Sequence, residues 1–119
     1  MLQLLDFTQD NIIATRATGK VTGEDYERVK PIIDKITGKG QKIRWYYELQ
    51  NEEGFNMGAI LEDLKVDIQH ASDYEKIAVV GDKKWQETVT KAFKPFTNAN
   101  VHFFEISEKQ KAQHWITSY

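Results

Sequence analysis

Apolar positions along this chain recur with two periods, and the switch between them marks out the elements. Ile43, Trp45, Tyr47 and Leu49 alternate with Arg44, Tyr46 and Glu48. That is the period of two expected of a strand with one clearly apolar face. Lys76-Ile77-Ala78-Val79-Val80-Gly81 is instead a continuous apolar run, as in a short strand buried on both faces. Gly81 ends it, Asp82 is a helix-capping residue, and Trp85 opens the next apolar stripe. A buried strand feeding a helix through a tight turn is the unit of a parallel α/β sheet.

The remaining pattern fits around that unit. Residues 2–7 and 11–19 read as strands, and Thr8-Gln9-Asp10-Asn11 between them is turn chemistry, so the pair is an antiparallel hairpin. Thr22-Gly23-Glu24-Asp25 resembles a capping box, and Tyr26, Val29, Ile32, Ile33 and Ile36 follow at helical spacing. Pro31 falls inside that helix, removes a backbone donor, and bends or divides it; Gly38 and Gly40 stop it. Met57, Ile60, Leu61, Leu64 and Ile68 mark a second long helix after a polar loop at 50–54. Trp85, Val89, Ala92, Phe93 and Phe96 mark a third. Residues 101–106 form the fifth strand. Ser107-Glu108-Lys109-Gln110 reads as a capping box for a closing helix whose inner face is Ala112, Trp115 and Ile116. The expectation is one α/β domain over 1–119, a five-stranded mixed sheet with four helices in the order β-β-α-β-α-β-α-β-α.

Composition narrows the function classes. Sixteen Lys and Arg stand against 18 Asp and Glu, a net charge of −2, which gives no long-range attraction for nucleic acid or an anionic membrane. With no cysteine, disulfides, thiolate catalysis and Cys-based metal sites are excluded. No apolar run approaches the roughly 18 residues a membrane helix needs, so no membrane insertion is expected. Residues 1–6 are too short for a secretion signal and lack its basic start, and the expected location is cytoplasmic.

No residue pattern names a reaction. His70, His102 and His114 are scattered, with no pairing at ligand spacing, so neither a metal nor another cofactor is implied. Neither a nucleophile elbow, a P-loop nor a dinucleotide fingerprint occurs, and no catalytic residue can be named. Glu62, Asp63 and Asp67 read as a solvated helix face, and Lys83, Lys84, Lys91 and Lys94 as solubility lysines. Tyr46 is less ordinary. It points opposite to Trp45 and Tyr47, toward a side of the sheet expected to be thinly covered. Phe55 sits at a loop-to-helix junction. In open α/β sheets ligands bind beyond the carboxyl ends of the strands. The candidate ligand- or partner-binding residues are therefore Tyr46, Glu52, Glu53, Gly54, Phe55, Asn56, Gly81, Asp82 and Trp85. Asp82 and the two glutamates disfavour a phosphate there.

Several local signatures, in order, resemble the SpoIIAA-like (STAS/SEC14-type) family of small bacterial proteins. They are Gly19-Lys20-Val21-Thr22; Glu48-Leu49 followed by Gly54-Phe55; Ile77-Ala78-Val79-Val80-Gly81-Asp82-Lys83-Lys84-Trp85; and Phe103-Phe104 with Ala112-Gln113-His114-Trp115-Ile116. The resemblance implies the SpoIIAA-like (STAS) fold shared by anti-sigma-factor antagonists and the core of CRAL-TRIO lipid-transfer domains. Antagonists of this fold carry a phosphorylatable serine in the loop after the third strand. Here Gln50-Asn51-Glu52-Glu53-Gly54 has no hydroxyl, so that switch cannot operate at this position. The expectation is a non-enzymatic interaction module that binds a protein partner or forms a homodimer. The alternative is a small carrier or sensor of a lipid-like or other hydrophobic small molecule.

Overall fold

The computed structural model describes residues 1–18, 23–50, 74–82 and 100–118. Five strands run β1 (Leu2–Leu4), β2 (Ile12–Ala17), β3 (Ile43–Leu49), β4 (Tyr74–Gly81) and β5 (Asn100–Glu105). They lie side by side in chain order in one sheet. β1 is antiparallel to β2, with Leu2 opposite Ala17, and the other neighbouring pairs are parallel. This is the mixed five-stranded sheet expected from the sequence. The hairpin turns at Asp10, whose φ of 53° is left-handed. Gln9 and Ile12 close the turn by exchanging both backbone hydrogen bonds, at 3.1 and 2.8 Å.

The first helix is divided, as Pro31 requires. α1 (Gly23–Glu27) stops, the chain turns at Arg28 and Val29, and α2 (Lys30–Gly38) begins with the proline in its first turn. There a missing N–H costs nothing, because first-turn donors have no intrahelical acceptor. Gly40 ends the element at a φ of +73°, a conformation that favours glycine. α3 (Lys109–Thr117) follows a single 3₁₀ turn at Ile106–Glu108. The expected capping box at 107–110 does not form: Glu108 is the N-cap and no side chain caps the helix. The 3₁₀ turn takes up the positions the box would have used. The two helices expected over about 57–71 and 85–96 lie outside the described residues.

Two cores flank the sheet. Ile13, Ala17, Trp45, Tyr47, Leu49, Ile77 and Val79 pack with Val29 and Ile36 of the divided helix. On the opposite face, Ile12, Ala14, Tyr46, Ala78 and Val80 pack under Ala112 and Ile116 of α3. Every residue of β3 is buried. Its alternating pattern therefore distinguishes two interiors, one apolar and one mixed, where a single apolar face was expected.

Candidate functional site

The face beneath α3 carries two buried polar clusters, one at each end of the strands. Tyr46, Glu48 and Gln50 point to this face along β3, and Arg16 stands beside Glu48 in the parallel β2–β3 register. Glu48 is 1% exposed. A carboxylate so buried must be neutralised and hydrogen-bonded. Both needs are met: Arg16 Nε donates to Oε2 at 2.5 Å, Tyr46 Oη to Oε1 at 2.7 Å, and Gln50 Nε2 to Oε2 at 2.8 Å. Burial first, and then the bond to Glu48, push the Tyr46 hydroxyl far above the ordinary phenol range. It is a fixed proton donor at any physiological pH.

The other cluster lies at the amino ends of the strands and fastens α3. Arg44 is 2% exposed, and its Nη1 donates to the carbonyl oxygens of Ile116 (3.2 Å) and Ser118 (2.5 Å). Lys76 Nζ donates to the carbonyls of Trp115 (3.2 Å) and Ser118 (3.0 Å) and lies 5.0 Å from the Trp115 ring centre. These cations satisfy last-turn carbonyls that no helix can satisfy for itself, and they complement the negative end of its dipole. Glu75 pairs with the same Arg44, Nε to Oε2 at 3.0 Å. That bond holds the Glu75 carboxyl below the usual carboxylate range, against the opposing effect of burial.

Among the nine residues proposed from sequence, Tyr46 is fully buried, not on a thinly covered face: α3 covers it, and Phe7 meets its ring edge-on at 5.0 Å. Gly81 ends β4 in the interior, where a Cβ would stand 3.4 Å from that of Leu49. Asp82, next in the chain, is exposed at the carboxyl rim. Glu52, Glu53, Gly54, Phe55, Asn56 and Trp85 lie outside the described residues. Arg16 and Glu48 belong to the rim and were not among the nine. Their signal was present: a lone acid and a lone base at inward positions of strands that become neighbours. Pairing them required the β2–β3 register.

Comparison with known proteins agrees with this architecture. The family model described as SpoIIAA-like matches residues 12–117. An uncharacterized protein of the DUF3478 family with a SpoIIAA-like fold, from Shewanella loihica PV-4, is 25% identical to this chain in sequence. The alignment covers 98% of this chain and 92% of that one, with a TM-score of 0.67. No curated protein matches the chain.

Proposed function

The chain belongs to the SpoIIAA-like family, and on that premise we propose that it is a non-enzymatic interaction module. It binds a protein partner, a second copy of itself being the first candidate, at the rim formed by the carboxyl ends of β2, β3 and β4. One observation carries this reading. Glu48, the buried acid of the rim, already accepts from three donors, and the phenol beside it is locked as a donor. Groups held this way shape and stiffen a surface, whereas general acid–base catalysis needs a group free to exchange its proton. The carrier reading draws less support from this face. Tyr46, Ala112 and Ile116, all fully buried, fill the space between sheet and α3.

Light scattering coupled to size exclusion tests the proposal. The apparent mass should rise from 13.8 kDa toward twice that value as concentration increases from micromolar to millimolar. A constant single-chain mass, with no complex formed with any protein of the host, refutes it.

A further inference from the structure

We propose that the carboxyl-end rim is a binding site for a singly charged carboxylate carried by a partner protein, with Arg16 as the recognising residue. The proposal rests on the rim as the contact surface only for the source of the acid. Arg16 donates to Glu48 through Nε alone, and its two Nη groups have no partner among the described residues. Its side chain is 31% exposed while that of Glu48 is 1% exposed. The guanidinium is thus gripped from below and shows its outer edge to solvent. That edge holds two parallel N–H donors, one on each Nη, at the spacing of a carboxylate's oxygens. Glu48 cannot swing away to free the pair for other uses, because Tyr46 and Gln50 hold it as well.

The surroundings choose the ligand. Gln3 stands directly opposite Arg16 across the β1–β2 ladder, so the two side chains share a face. Gln3 and Gln50 are both exposed and place neutral amides on either side of the guanidinium. Arg16 is balanced by Glu48, so the pair carries no net positive charge. A pair without net positive charge does little to offset the dehydration of a phosphate dianion, which costs more than that of a monoanion. A flat monoanion gains the two-pronged bond at the lower electrostatic cost. Desolvation is modest for a side chain already 31% exposed, so the contact is weak alone and selective within a larger interface.

Side-chain NMR of the isolated chain reads the site directly. The Arg16 Nε–H and Gln50 amide resonances are followed during titration with acetate, with a capped Gly-Gly-Glu-Gly-Gly peptide, and with phosphate at matched ionic strength. Saturable shifts with acetate and at least equal affinity for the peptide are expected, with phosphate binding more weakly. Arg16→Lys keeps the charge beside Glu48 but loses the planar fork, so Gln50 should report about tenfold weaker acetate binding in a chain that still folds. Absence of shifts, tighter phosphate binding, or unchanged affinity in Arg16→Lys overturns the site. Acetate binding without peptide binding overturns the protein source. Intact carboxylate binding by a chain that stays monomeric and partnerless overturns the interaction reading and leaves the site standing.

Discussion

Arg44→Met isolates the fastening of α3. Methionine keeps most of the buried aliphatic volume, so the cavity contribution is small. The guanidinium's bonds to the carbonyls of Ile116 and Ser118 disappear, and with them those from Nε and Nη2 to Glu75. A hydrogen bond from a charged donor contributes about 1.5–3 kcal/mol net, and orphaning a buried carbonyl costs about 1–3 kcal/mol. Lys76 still reaches the Ser118 oxygen, which offsets part of that loss. The Glu75 side chain is 41% exposed and rehydrates, so its lost bonds count for little. The expected destabilisation is about 2–3 kcal/mol, from the orphaned Ile116 carbonyl and the weakened helix end. Urea unfolding should show a lower midpoint at unchanged slope, because the same surface is exposed on unfolding. Amide exchange should speed up in α3 before it does in β2 and β3. Because Lys76 shares the Ser118 oxygen, Lys76→Met should be more costly in the Arg44→Met background than alone. A loss below about 0.5 kcal/mol, the level of an ordinary surface change, with exchange in α3 unaltered, would show that the clamp does not hold the helix.

The depressed Glu75 carboxyl stabilises the fold above its unfolded value of about 4.3, and that contribution fades as pH falls through the lower folded value. Stability measured from pH 5 to pH 3 should therefore decline less steeply in Glu75→Gln. Tyr46 carries the opposite sign. Its raised value favours the folded state below about pH 10, and this is lost progressively above it as the unfolded chain's phenol ionises. Absorbance near 295 nm should show fewer phenols ionising only on unfolding in Tyr46→Phe than in the unaltered chain. Trp45 Nε1 donates to Thr15 Oγ1 at 2.9 Å in the interior, so Thr15→Val should cost about 1–3 kcal/mol in thermal or chemical unfolding. Gly38 and Gly40 should respond in opposite directions to alanine. Gly38 is helical with open space around it, so alanine should stabilise by about 0.5–1 kcal/mol. At Gly40 the φ of +73° should make alanine cost about 1–2 kcal/mol.

Strand positions were legible because each follows from a local period. β3 was expected and found at 43–49, and the apolar run of 77–80 lies within a longer β4 that begins at Tyr74. The break in the first helix was legible from Pro31 alone. The environment of the second face was not. A period of two says that Arg44, Tyr46 and Glu48 share a side, but not that α3, some 65 residues later, will bury them. Read locally, an arginine and a glutamate on that side signal solvent. Their burial is affordable because each finds partners from other strands or from the end of α3. Arg16 and Glu48 were missed for the same reason: the site is a property of register, and register is not written in either strand.

Every strand pairs with its successor in the chain, so the sheet can be laid down one ribbon at a time as synthesis proceeds. The exception to this tidy order, among the described residues, is α3, which packs on the second face and follows all five strands. Without Ala112 and Ile116, the sheet lacks the packing that α3 gives to Tyr46, Ala78 and Val80. Chains truncated after residue 106 should therefore bind a hydrophobicity-sensing dye more strongly than the chain through residue 119.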